Sequence, residues 1–194
     1  MAPDELIREN HAGAAPLLAN AAVSRGALRI EEEVVALFDE FREPLGRYLL
    51  ALGLPVPDTE EIIQETFLSL FEHLKKGKPR DRIRGWLFRV AHNLGLKRRN
   101  ESRRMCGAAR DANEIEELVA DPSPGPEEQL SSREMGRRVR AVVRALSEQD
   151  RRCLYLRAEG LRYRELADVL DMSLAAVSIS LARSLGRIAR VTER

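Results

Sequence analysis

From Glu31 onward, apolar side chains recur at steps of three and four. Val34, Phe38, Phe41, Leu45, Tyr48 and Leu52 form one series, the mark of a helix with one face on a core. Pro44 predicts a kink in it, and Gly53 suits its end. Residues 1–28 are Ala-rich and weakly patterned, and read as a mobile extension with at most a short helix. A second helix is predicted from Asp58, with Glu61 three residues on in a capping-box-like arrangement. Its buried face is Ile62, Ile63, Thr66, Phe67, Leu70, Phe71 and Leu74, and Gly77 and Pro79 stop it. After the loop "KGKPRDRIRG", a third helix begins near Gly85 and runs through "WLFRVAHNLGLKRRNESRR", with Trp86, Leu87, Val90, Ala91 and Leu94 toward the core.

The pattern then breaks. From Asp111 to Glu128 the chain carries seven acidic residues and no basic one, and "DPSPGPEE" cannot continue a helix. This segment reads as a linker, and it divides the chain into an extension (1–28), a first module (29–105), the acidic linker (106–126) and a second module (127–194). In the second module a helix is expected over roughly 127–146, with Met135, Val139, Val142, Val143 and Leu146 inside. Ser147 and Asp150 read as the cap of the next helix, which ends at Gly160. A short helix, "YRELADVL", meets a tight turn, "DMS", and Ser173 caps a last helix with Leu174, Val177, Leu181, Leu185 and Ile188 as its core stripe. Short helix, brief turn and longer helix form the helix-turn-helix pattern, and Ala167 is small where the two helices cross. An ordinary helical hairpin would look similar.

Composition narrows the classes. The 194 residues are 44% hydrophobic, 5% aromatic and 32% charged. Leu, Ala, Arg and Glu dominate without long alternating strands, which favours an all-α protein. Cys106 and Cys153 stand alone and His11, His73 and His92 are scattered, so no metal-ligand spacing appears. Reduced thiols and a cytoplasmic location are expected. Asp4 and Glu5 lie where a signal peptide would be basic, and "YLLALGLPV" is too short to span a membrane. No glycine-rich phosphate loop or nucleophile constellation is present. Catalytic residues, cofactors, metals and small-molecule substrates are therefore not expected.

Net charge is only +1, but charge is unevenly distributed. Residues 75–104 hold twelve Lys and Arg against Asp81 and Glu101. Such a stripe is an electrostatic footprint for phosphates, or a solvated basic face. Trp86 packs toward the core in this reading, while Phe88 lies off the core face beside the cations, where a ring can stack a base. On the second helix, Glu61, Glu65, Leu68 and Glu72 form a stripe opposite the core face, flanked by Glu60, Gln64 and Ser69. A leucine among carboxylates points to a partner helix bearing Arg or Lys; a solvated acidic face is the plainer alternative.

Three segments in order resemble the extracytoplasmic-function (ECF) class of bacterial RNA polymerase sigma factors. "DTEEIIQETFLSLFEHL" is similar to the family's D-A-E-D-L-V-Q-E-V-F-L helix, with Asp58, Glu60, Gln64, Glu65, Phe67 and Leu68 matching letter for letter. "WLFRVAHN" resembles W-L-x-x-I-A-x-N. "ALSEQDRRCLYLRAEGLRYRELADVLDMSLAAVSISLARSLGRI" follows the region-four pattern. The likeness covers roughly residues 31–104 and 127–190.

The resemblance implies an all-α sigma factor that brings core polymerase to promoters and helps melt them. Asp58, Glu61, Gln64, Glu65, Leu68 and Glu72 would dock on the clamp helices of the β′ subunit, and the second module would meet the β flap. Lys78, Arg80, Arg82, Arg84, Trp86, Phe88, Arg89, Asn93, Lys97, Arg98, Arg99, Arg103 and Arg104 would engage the minus-ten element, where a base is flipped into a loop pocket. The acidic linker would thread the polymerase's positive cleft. Tyr163, Ser173, Ala175, Ala176, Ser178, Ile179, Ser180, Arg183 and Arg187 would meet the minus-thirty-five duplex. Many relatives are held by an anti-sigma factor, a further partner. Where the family has T-V-K-S-R, this chain has Ala176 to Ser180 and lacks two cations, so region four is expected to bind weakly by itself and to rely on tethering through polymerase. Two other readings stay open here: a free-standing helix-turn-helix regulator, and a sigma-like adaptor that binds polymerase without reading DNA.

Overall fold

The computed structural model describes residues 14–106 and 126–193, with side chains from 28 to 104 and from 134 to 193. It forms α1 (Ala14–Ala51), α2 (Val56–Lys75), α3 (Ile83–Cys106), α4 (Pro126–Arg144), α5 (Glu148–Ala158), α6 (Tyr163–Leu170) and α7 (Leu174–Thr192). Among the described residues there is no strand, and no helix is long and apolar enough to cross a membrane. The acidic linker lies mostly outside the described residues.

Two boundaries differ from expectation. The α1 helix continues through Pro44 and begins at Ala14, so the second half of the expected extension is helix. The α2 helix starts two residues before Asp58. Pro55 is its N-cap, without a side-chain cap bond, and Pro57 falls in the first turn, where proline removes only an N–H that has no helical partner. Asp58 therefore complements the helix dipole rather than capping. The other caps form as expected: Ser147 accepts from Asp150 N–H and Ser173 from Ala176 N–H, both at 3.1 Å.

The first three helices close around Phe41, Leu45, Tyr48, Leu49, Ile62, Phe67, Leu70 and Leu87, all buried. The second module adds Cys153, Leu156, Leu161, Leu166, Val169, Val177 and Leu181 to the same apolar cluster. On α4, Met135, Val139, Val142 and Val143 are only half-buried; the helix rests on α7 alone among its neighbours of any extent. The modules touch where α6 meets α3 and α5 meets α1. Gly85 makes the first approach possible, because a Cβ there would lie 3.2 Å from Glu165 Cγ. Arg47 forks onto Glu159 at 3.0 and 2.7 Å, and Arg99 donates to Glu148 across the same boundary.

Candidate functional site

Residues of α2 that fall opposite the buried row Ile62, Thr66 and Leu70 are forced outward by helical spacing. Gln64, Glu65, Leu68 and Glu72 are all exposed, Leu68 at 67%. Glu72 makes a loose 3.7 Å pair with Lys76 one turn on. The two N-terminal members of the expected docking set, Asp58 and Glu61, are drawn aside. Arg98 of α3 reaches Asp58 at 3.4 Å and Glu61 at 2.9 Å. Its hydrogen bond holds the Glu61 carboxyl below the ordinary range. The stripe thus ends in a salt-bridged seam and continues as a bare face centred on Leu68.

The loop into α3 opens at Gly77, whose φ of 66° is left-handed and suits glycine. Its arginines are engaged. Arg80 forks onto Glu33 of α1 at 2.9–3.1 Å. Arg82, itself at φ 60°, stands 3.8 Å from Asp168 of α6. Arg84 stands 3.8 Å from Glu40 and lies over the Phe41 ring. On α3, Arg89, Asn93, Lys97, Arg103 and Arg104 are exposed, and residues 89, 93 and 97 share one face by their i, i+4 spacing. Arg99 turns inward, donating to Leu52 O at 3.2 Å as well as to Glu148. Trp86 is half-buried, its ring 4.7 Å from that of His73.

Phe88 corrects an expectation. It is fully buried, with its ring edge-on to Tyr48 at 5.8 Å, and it offers no surface to a base. The third helix packs on α1, α2 and α6 together, so its buried arc is wider than one apolar stripe. Within that arc, Tyr48 Oη lies 2.6 Å from His92 Nδ1. Burial raises the Tyr48 pKa and lowers that of His92 to about 4, helped by the Arg152 and Arg99 guanidinium groups. Tyr48 is then the donor and neutral His92 the acceptor.

The last helix is rotated from the expected stripe. Its buried residues are Val177, Ser180, Leu181 and Ser184, while Leu174 and Leu185 are about half exposed. Ser180 is therefore removed from the expected DNA face: its hydroxyl donates to Asp150 Oδ1 at 2.6 Å. Ser184 donates to Ser180 O at 2.8 Å. Burial alone would raise the Asp150 pKa, but hydrogen bonds from Ser180 and Ser147 and the Arg183 guanidinium, 3.4 Å away, outweigh it and lower it. Ala175, Ser178, Ile179 and Arg187 face outward, Ala176 is half-buried, and Tyr163 is exposed beneath Arg157. Sequence reasoning missed Asp150 as an anchor for α7 and His73 as the partner of Trp86. Asp150 was visible as a cap residue; nothing near His73 in sequence signalled its contact.

Residues 37–105 match the family model of Sigma-70 region 2, and residues 136–188 match that of Sigma-70, region 4. Over 154 residues the chain is 28% identical to RNA polymerase sigma factor CnrH of Cupriavidus metallidurans, which covers 77% of this chain and 81% of that protein. It is 30% identical over 129 residues to ECF RNA polymerase sigma factor SigE of Mycolicibacterium smegmatis, covering 65% and 48% of the two chains. Among solved structures, the sigma factor RpoE in its co-crystal with the anti-sigma factor NepR from Bartonella quintana has the same fold. The TM-score is 0.61 at 15% identity, over 84% of this chain and 98% of that one.

Proposed function

The chain belongs to the sigma-70 family of RNA polymerase sigma factors, as an ECF-type member, and from that premise we propose a division of labour among its faces. The bare face of α2, centred on Leu68 with Gln64, Glu65 and Glu72 around it, docks on the clamp helices of the polymerase β′ subunit. The exposed cations of α3, Arg89, Lys97, Arg103 and Arg104, track promoter phosphates at the minus-ten element, with Lys78 and Trp86 at the strand opening. The outward face of α7, with Ala175, Ser178 and Ile179, enters the major groove, where Ser hydroxyls discriminate weakly and Ile179 touches a thymine methyl. Arg187 serves a phosphate, which positions without specifying. An anti-sigma factor is a fitting further partner, and the protein works in the cytoplasm beside its polymerase, with no catalytic step of its own.

The observation that carries this reading is the exposed Leu68 between Glu65 and Glu72 on a helix whose opposite face is fully packed. Burying a leucine contributes about 1.5–3 kcal/mol, so Leu68→Glu should weaken binding to core polymerase at least tenfold with an unchanged thermal unfolding curve. Wild-type affinity in that variant, measured by fluorescence titration with purified core, rules the docking face out.

A further inference from the structure

We propose that His73 is a positioning residue for promoter opening, holding the loop of residues 76–82 and Trp86 in register with the docking face of α2. This rests on the assignment of α2 to docking and of the loop and Trp86 to strand opening.

His73 stands in the last turn of α2 and makes three contacts, two with the loop and one with α3. Its main-chain carbonyl accepts from Lys78 N–H at 3.3 Å. Its ring Nε2 donates to Pro79 O at 3.0 Å. Its ring faces Trp86 of α3 at 4.7 Å between centroids, tilted by 46°. A histidine at a helix C-terminus ordinarily offers its charge to the last carbonyls of its own helix. Here the ring donor is aimed beyond the helix, at a carbonyl in the middle of the loop. That carbonyl immediately precedes Arg80, whose fork onto Glu33 fixes the next loop residue to α1. The loop is thereby held from both sides, and the Trp86 ring is propped at its α3 end.

The same histidine borders a groove that both functional faces share. Leu68, Glu72 and Lys76 line one part of it, and Lys78 and Trp86 line another. A helix seated over Leu68 would cover the groove along one wall and leave Lys78 and Trp86 at its edge. Polymerase docking and loop geometry are then linked through one short chain of contacts: the α2 face, the His73 ring, Pro79 and Trp86.

The test uses the full chain with core polymerase and a promoter that the wild type opens. The variants are His73→Ala, His73→Phe, which keeps a ring and loses the donor, and His73→Gln, which keeps a donor and loses the ring. Affinity for core is read by titration, strand opening by permanganate reactivity, and folding by thermal unfolding. The expected result is that His73→Ala keeps core affinity within about twofold and loses about tenfold in open complexes, the scale of one hydrogen bond and one ring contact. Phe and Gln should each recover part of the opening. Opening by His73→Ala equal to wild type overturns the proposal. So does a parallel loss of core affinity and opening, which would make His73 a docking residue. Should the Ala variant unfold, the Phe and Gln variants decide by the same two readings, and their equality with wild type in opening counts against it. Leu68→Glu alongside keeps the two failures apart: undiminished core affinity there removes the docking face whatever His73 does.

Discussion

The α3 and α7 helices both lay one face on the core and one in solvent, yet they sort their polar residues in opposite ways. On α3, charge is abundant in sequence and much of it is tied up. Arg98 and Arg99 find Asp58, Glu61, Leu52 O and Glu148, while Arg89, Lys97, Arg103 and Arg104 stay in solvent. On α7, charge is sparse, and it is hydroxyls that go inward. Ser180 and Ser184 are buried because Asp150 and a main-chain carbonyl meet them, whereas Ser178, two residues away, faces out. What decides the side is the availability of a partner, across the packing for Arg98, Arg99 and Ser180 and one turn back on its own helix for Ser184, since a buried polar group without one costs about 1–3 kcal/mol. A count of cations along a helix therefore overstates its reach to DNA, and a count of leucines misplaces its core.

The largest expected effect tests the buried end of this comparison. His92 has a folded pKa of about 4 against an ordinary 6.5, so the unfolded chain takes up the proton first as pH falls. The stabilisation is complete above about pH 6.5 and is lost between about pH 6.5 and 4. It amounts to as much as about 3 kcal/mol. Chemical denaturation across that range should show the fall, and His92→Gln, which keeps an acceptor for Tyr48, should flatten it. A wild-type profile as flat as the variant's would contradict neutral burial.

Next in size is Arg99→Ala. It removes a hydrogen bond to Leu52 O and an ion pair to Glu148, and should cost about 2 kcal/mol of stability while leaving the salt dependence of promoter binding unchanged. The converse pair is Lys97→Ala with Arg104→Ala. Stability should hold within about 0.5 kcal/mol, and the slope of log affinity against log salt should flatten by about 0.9 for each phosphate lost. If the two sets exchanged phenotypes, the sorting of paired from free cations would be wrong. The smallest effect is on α7: Ser178→Lys should strengthen duplex binding by residues of the second module in the full holoenzyme, by about one phosphate contact's salt slope. Ser180→Arg should instead destabilise, because it forces a long side chain into the buried contact with Asp150.

Much of the fold was legible because local signals were strong. "YRELADVL" is α6 to the residue, and Ser147 and Ser173 cap as their spacing predicts. The outward stripe of α2 was readable as a period with one discordant leucine. What sequence could not supply was the environment contributed by distant elements. The start of α2 was misplaced because Pro55 and Pro57 look like breakers and act as initiators. Phe88 was set beside the cations because a single stripe was assumed for a helix enclosed by three neighbours. Leu174 and Leu185 were placed inside, and Ser180 outside, because nothing local reveals that Asp150, thirty residues away, turns a serine into a core residue. The ion pairs of Arg80, Arg82 and Arg84 were not legible because their carboxylates lie on α1 and α6.

A sigma factor must program a polymerase to start at chosen sites. Purified core enzyme supplied with the full chain and fragmented genomic DNA, with transcript 5′ ends mapped, measures that in one assay. The expected result is initiation at a restricted set of sites sharing two spaced upstream elements, abolished by Leu68→Glu. Transcript ends indistinguishable from those of core enzyme alone would contradict it.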